Sequence, residues 1–204
     1  MNKCHFSAVC LCFIVFLSLC VTGCTSTKII TESNISPIYI TNVKKFYLLP
    51  PSDIENDVDA QQLLIANFNG NTFQMLSYLK ADKNGIYLSL FNDFGTGMGS
   101  ISYDGIDVHF DSAIFLENLK AEYILADLQF AYYSVDAINE TLKTIGMYME
   151  VEKNEGGEVR TIFSNSILPM MNSRTIEVIK KDKACTLIQN MLRGYEYFLQ
   201  EAEE

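Results

Sequence analysis

The sequence has no tryptophan, two histidines, four prolines and six cysteines in 204 residues, and 15 basic side chains against 25 acidic ones. Each scarcity excludes something. A net charge of −10 comes without the clustered Lys and Arg that neutralise phosphates, which argues against nucleic acid and against electrostatic attraction to anionic lipid. Cys4, Cys10, Cys12, Cys20 and Cys24 crowd into the first two dozen residues, and only Cys185 lies beyond them. Past Cys24, therefore, no intramolecular disulfide can form. His109 is the only histidine there, so a zinc cluster has no ligand set, and a divalent-metal site would rest on carboxylates alone. No long hydrophobic run is present either. The apolar stretch Phe6 to Val21 is short for a bilayer span, which takes roughly 20 residues, and fits a secretory leader, whose core takes about 7 to 15.

What is there begins at the end of that stretch. Lys3 precedes it, and Val21-Thr22-Gly23-Cys24 puts small residues directly before a cysteine. This site resembles the bacterial lipobox. The resemblance implies a signal peptide over 1–23, thioether attachment of a diacylglyceryl group to the Cys24 sulfur, cleavage before Cys24, and often acylation of the new amino terminus. The rival reading is an uncleaved N-terminal anchor. Two or three acyl chains, at about 0.8 kcal/mol per buried methylene, would hold the protein on a membrane without crossing it. Thr25 and Ser26 follow, with no Asp in the position that retains many Gram-negative lipoproteins at the inner membrane. The expected location is thus the outer membrane, facing the periplasm. Residues 24–37, polar and ending in Pro37, read as a lipidated cysteine and a flexible tether. A coil of about 13 residues reaches roughly 20 Å. Residues 38–204 are long enough for one sizeable core, read as a single domain.

From Ile38 the pattern is strand-like. "IYITNVKKFYLL" reads as a first strand, interrupted about Lys44 and Lys45 and ended by Pro50-Pro51, and an acidic loop "SDIENDVDA" follows. Strands are predicted over 62–69, 72–81, 86–91, 99–103 and 106–110, joined by Asn69-Gly70, Lys83-Asn84-Gly85, Gly95 to Gly99 and Asp104-Gly105. Asn-Gly and Asp-Gly are hairpin signals because both central residues of the favoured turn take positive φ. Ile106, Val108 and Phe110 share one face, and Asp107, His109 and Asp111 the other. The period then changes. Leu116, Leu119, Tyr123 and Phe130, then Val135, Ile138, Leu142 and Ile145, recur at helical spacing, which predicts two helices with Ser134 as N-cap of the second and Gly146 closing it. Strands resume at 147–153, 158–163, 173–181, 184–191 and 194–200.

The lipobox, "FNDFGTGMGSISYDGIDVHF", "ILADLQFAYYSVDAINETL" and two closing hairpins with Arg174 and Gly194-Tyr195 together resemble a family of uncharacterised Gram-negative lipoproteins associated with aryl polyene biosynthesis genes. That family is distantly similar to the LolA and LolB lipoprotein carriers. The likeness covers most of residues 60–200. It implies a mainly β fold with helices: a curved antiparallel sheet, an incomplete barrel, capped by helices to enclose a cavity for acyl chains. Phe73, Met75, Leu88, Leu90, Ile101, Tyr103, Tyr123 and Phe130 would line the cavity, and seven methionines beyond Cys24 suit a pocket that repacks easily. The bland alternative is that these side chains simply fill a core. LolB carries a protruding loop with an exposed leucine in a Gly-Pro-Leu-Gly setting that touches the membrane. "NDFGTG" occupies the corresponding place, without the Pro or Leu, which makes Phe94 the membrane-contact residue unless it folds inward.

Other constellations are weaker. "GTGMGS" runs into a strand rather than a helix, so it lacks the N-terminus that cradles phosphate. Asp104, Asp107, Asp111 and Glu117 fall in a turn or on a solvated face, and His109 has no nucleophile beside it. Cys185 reads as an inert core thiol. Asp127 and Gln129 are candidates either for orienting a headgroup or for capping the next helix. The expected protein is not an enzyme and needs no cofactor. It binds or transfers a lipid, the acyl chains of a lipoprotein or an aryl polyene lipid, with a periplasmic carrier protein as a further partner. The alternative is a structural lipoprotein that docks a protein of an envelope complex.

Overall fold

The computed structural model describes residues 37–68, 70–112, 121–165 and 173–201. Residues Ser33–Glu204 form one compact unit; the leader, Cys24 and all of the tether except Pro37 lie outside the described residues, as do Leu116, Glu117 and Leu119. The first predicted strand is two short ones, β1 (Ile38–Tyr39) and β2 (Lys45–Phe46), paired antiparallel as a separate two-stranded sheet. The break falls earlier than Lys44 because Thr41 folds the chain back, its Oγ1 accepting from Lys44 N at 3.1 Å, while Ile40 N donates to Lys44 O.

Two meanders follow. The first is β3 (Val58–Phe68), β4 (Asn71–Asp82), β5 (Gly85–Phe91), β6 (Gly97–Tyr103) and β7 (Val108–Ser112). β3 begins inside the expected acidic loop, its Val58 opposite Ala81. The second is β8 (Met147–Asn154), β9 (Gly157–Ser164), β10 (Arg174–Lys181), β11 (Cys185–Asn190) and β12 (Tyr195–Glu201). They join through β3 and β12 into one ten-stranded antiparallel sheet, ordered β7-β6-β5-β4-β3-β12-β11-β10-β9-β8. The first and last long strands therefore sit side by side at its centre, in register from Gln62↔Glu201 to Phe68↔Tyr195.

The two meanders repeat one turn device. Gly85 and Gly157 open the second strands of their hairpins at φ 153° and 145°, and a Cβ on either would overlap the carbonyl oxygen of Tyr103 or Lys181. Only glycine fits.

β7 and β8 stand at opposite edges and do not pair, so the sheet stays open. The chain that joins these edges carries α1 (Ala121–Tyr132) and α2 (Val135–Thr144) against one face of the sheet. In α1, eight consecutive residues from Leu125 to Tyr132 are buried, as expected of a helix enclosed on all sides. α2 buries Ile138 and Leu142 and covers edge strand β8. Its Asn139 side chain donates to Met149 O at 3.0 Å and accepts from Met149 N at 2.8 Å, which satisfies backbone groups of an otherwise open edge. Ser134 precedes α2 as expected but makes no side-chain cap; its own N–H donates to Asp53 O. Gly146, at φ 66°, ends the helix region.

Buried charge fastens α1. The Arg160 side chain, only 1% exposed, comes from the inner face of β9. It donates to Tyr133 O at 2.7 Å and Phe130 O at 3.2 Å, and pairs with Glu55 and Glu158. Lys181 Nζ donates to Ala131 O at 2.9 Å. Two cations thus satisfy the last carbonyls of α1, which carry the negative end of its dipole. Among the described residues no helix is long and apolar enough to cross a membrane.

Candidate functional site

In-register pairing stacks apolar side chains into rows across the centre of the sheet. Leu199, Leu64 and Met75 form one row, and Tyr197, Ala66 and Phe73 the next. Alternation sends all of them to the face that α1 covers. The helix does not fill the space in front of them. Between Ile124 and Leu128 of α1 and strands β3, β4, β5 and β12 lies a cavity of about 630 Å³. Its apolar wall includes Leu64, Met75, Leu88, Leu90 and Leu199, together with Phe68, Phe73 and Met98. This volume falls within the roughly 300–1,000 Å³ typical of small-ligand pockets.

Of the residues expected from sequence, the structure brings Phe73, Met75, Leu88 and Leu90 together on this wall and puts Phe94 at its edge. Ile101, Tyr103, Tyr123 and Phe130 fall outside the lining. Ile101 and Tyr103 are buried in the core, and burial pushes the Tyr103 hydroxyl up to about 12. Phe130 packs on Phe46 with ring centroids 5.0 Å apart. Tyr123 lies beneath the Arg193 guanidinium, 4.1 Å from its ring centroid.

Phe94 does not fold inward. It is 93% exposed at the tip of a turn organised by one side chain: Asn92 Oδ1 accepts from Phe94 N at 3.0 Å and Thr96 N at 2.9 Å. Asn92 N donates to Thr96 O, Gly95 N donates to Asn92 O, and Gly95 takes φ 75°. A hydrophobic ring is thus held out into solvent by a closed set of hydrogen bonds.

Gln129 neither lines the cavity nor caps α2. Its amide donates to Leu49 O and accepts from Leu49 N, both at 2.8 Å, which pins α1 to the segment after β2. Asp127 caps nothing either. It is buried between α1 and the sheet, where Tyr195 donates to its Oδ2 at 2.7 Å and Tyr197 at 3.3 Å. Beside it is buried Glu177 of β10, whose Oε2 accepts from Asn190 at 3.1 Å and whose Oε1 has no donor. Burial drives the Asp127 carboxyl up to about 7, against hydrogen bonds from Tyr195, Glu177 and Tyr197. Glu177 is raised well above the usual carboxylate range by burial and then by the neighbouring Asp127. Two carboxyl groups so close cannot both ionise.

The sequence reading overlooked Ile124, Leu128, Tyr195, Tyr197 and Leu199. The last three alternate along "YEYFL", which marks one apolar face, but nothing local says that β12 lies against β3. It also overlooked Arg160 and Glu177. Their signal is a charge two residues before a buried isoleucine, Arg160 before Ile162 and Glu177 before Ile179.

The acidic residues of the 104–111 segment serve the turn or face solvent. Asp104 Oδ1 accepts from Ile106 N and Asp107 N, both at 2.8 Å, while Asp107, His109 and Asp111 are exposed. Cys185 is half-buried, and burial raises its thiol.

No curated protein matches the sequence. Among solved structures the chain is similar to a crystal structure of a domain assigned to outer membrane lipoprotein sorting from Vibrio parahaemolyticus. The alignment has 12% identity, covers 74% of this chain and 86% of that one, and gives a TM-score of 0.28. The model of the family described as protein of unknown function DUF3261 matches residues 59–200, and the chain belongs to that family.

Proposed function

We propose that the protein is a non-enzymatic carrier or acceptor that holds an acyl chain in the cavity, tethered through lipidated Cys24 to the periplasmic face of the outer membrane. The observation that carries this reading is the cavity of about 630 Å³, walled by Leu64, Met75, Leu88, Leu90 and Leu199 and rimmed by a Phe94 that is 93% exposed. An acyl chain would be held by burial of apolar surface, at about 25 cal/mol per Å², with little directional demand. The tyrosine hydroxyls of the wall are already spent on Asp127, so polar contacts to a cargo would come from Asn67, Asn71, Gln74, Asn92, Asp93 and Glu196. Phe94 would rest in the membrane interface and bring the cavity mouth to the cargo. Transfer then needs only an affinity above that of an upstream periplasmic carrier and below that of the bilayer. An aryl polyene lipid is one cargo of this shape, and the acyl chains of a lipoprotein are another.

A fluorescence titration with an uncharged NBD-labelled fatty alcohol tests the reading. Saturable uptake near one probe per protein supports it, and absence of uptake removes it. A second reading, a docking scaffold, has its own observation. On the opposite face of the sheet, Leu63, Leu76 and Phe91 form one cross-strand row and Ile65, Phe198 and Leu187 another. All six are half-buried or exposed.

A further inference from the structure

Asp127 and Glu177 have no place in an apolar cavity's chemistry, yet they sit where the helix meets the cavity wall. Asp127 lies on α1 between Ile124 and Leu128, both of which line the cavity. It receives the hydroxyls of Tyr195 and Tyr197, whose rings form the opposite wall. Glu177 reaches the same point from β10, with Asn190 of β11 on its Oε2. Its buried Oε1 lacks a donor, and the Asn190 amide that donates to Oε2 also donates at 3.4 Å to the Tyr195 hydroxyl bound to Asp127. The two carboxyls thus share one buried cluster, and each raises or lowers the other's titration as a neighbour. Two such neighbouring acceptors are satisfied only if a proton lies between them. The remaining groups that face the pair do not replace that proton. Arg193, in the turn between β11 and β12, is exposed; it donates to Tyr39 O and covers the Tyr123 ring. On α1 itself Tyr132 bonds to Thr186.

We propose that a single proton shared by Asp127 and Glu177 clamps helix α1 onto strands β10 and β12 beside the cavity, and that losing this proton lifts the helix and opens the cavity. Closed, the pair is dry and holds the proton. Open, both carboxyls are hydrated and titrate in the ordinary range. The open form is therefore favoured as pH rises. The direction of the Asp127 shift, upward through burial to about 7, agrees with this sign. Where the closed pair holds its proton and the open carboxyls are ionised, the opening equilibrium rises with pH by up to about tenfold per pH unit. Opening rests on this geometry alone; its link to cargo loading rests on the carrier reading above.

The experiment is amide hydrogen exchange across residues 121–132 of the protein produced from the full chain, compared with the Asp127→Asn, Glu177→Gln double variant, which keeps the shape of the pair but cannot ionise. Intrinsic exchange chemistry cancels in the ratio of the two at each pH. The ratio of wild type to variant should rise severalfold or more from pH 6 to pH 8, and an unchanged ratio overturns the clamp. If the double variant does not fold, Glu177→Gln alone takes its place. Independently, carboxyl-carbon NMR of wild type should show one of the two groups still protonated at pH 6, and two ionised groups there overturn the proposal. The NBD-labelled fatty alcohol separates the two readings. If exchange behaves as stated while no probe binds, the carrier reading falls and the clamp stands. If probe binds while the exchange ratio is flat, the clamp falls and the carrier stands.

Discussion

Tyr195 lines the cavity with its ring and donates its hydroxyl to Asp127 Oδ2 at 2.7 Å, so one side chain of the central strand both walls the site and holds the helix that covers it. Stability should register this tie. The Asp127 carboxyl is raised in the folded protein to about 7 from an unfolded value near 3.9. The stabilisation belonging to its proton is complete below about pH 4 and is lost as pH rises through about 7. Urea denaturation of wild type and Asp127→Asn should therefore show wild type losing a few kcal/mol relative to the variant across that window. A constant difference would place the proton elsewhere.

Arg160 is the second fastening. Replacing it by Met leaves the carbonyls of Phe130 and Tyr133 without their donor and Glu158 without its closest cation. Breaking a buried pair in this way costs about 3–5 kcal/mol, read as a lowered denaturation midpoint. Arg160→Lys should recover part of the loss, because a single ammonium can reach one carbonyl but cannot fork.

Phe73 and Leu90 line one cavity but should fail differently. Leu90 is 1% exposed and Phe73 39%. Leu90→Ala should cost about 2–5 kcal/mol of stability. Phe73→Asp should cost less stability than Leu90→Ala, because its ring is already partly in solvent, and should abolish uptake of the fatty alcohol probe.

Phe94→Ser removes a ring that packs on nothing, so stability should stay within about 0.5 kcal/mol of wild type. The rate of probe transfer from vesicles should nevertheless fall several-fold, with affinity for probe already in solution unchanged. An equal loss of both would make Phe94 part of the cavity rather than of a membrane contact.

Gly157→Ala should destabilise by more than the usual glycine cost, because the new methyl meets the Lys181 carbonyl at a left-handed φ. Gly85→Ala should do the same against Tyr103, whereas Gly97→Ala, in open space, should be close to neutral.

Strands with clear alternation and glycine turns were legible because their signals are local. Gly85 and Gly157 mark their own hairpins, and "SVDAINETLKTIG" carries both ends of α2. The helix α1 was legible as a helix through Tyr123 and Phe130, yet which side of it would face a cavity was not. A helix buried all round offers no polar stripe to orient it, and Phe130 faces Phe46 instead. The junction of β3 and β12 escaped for a different reason. Leu64 and Leu199 meet across most of the chain, and no short-range pattern encodes that contact. Met75, Leu88 and Leu90 could be placed because their strands are neighbours in sequence. Glu177 and Arg160 look like ordinary surface charges until the register puts them on the inner face.

The carrier reading stands or falls on what occupies the cavity in the cell. Protein isolated from the periplasmic fraction and extracted with organic solvent, then analysed by mass spectrometry, should yield a defined amphiphile near one per protein that is lost in Phe73→Asp. A wild-type protein that yields no lipid and takes up no fatty alcohol probe would contradict the reading and leave the apolar rows of Leu63, Leu76 and Phe198 as the surface to explain.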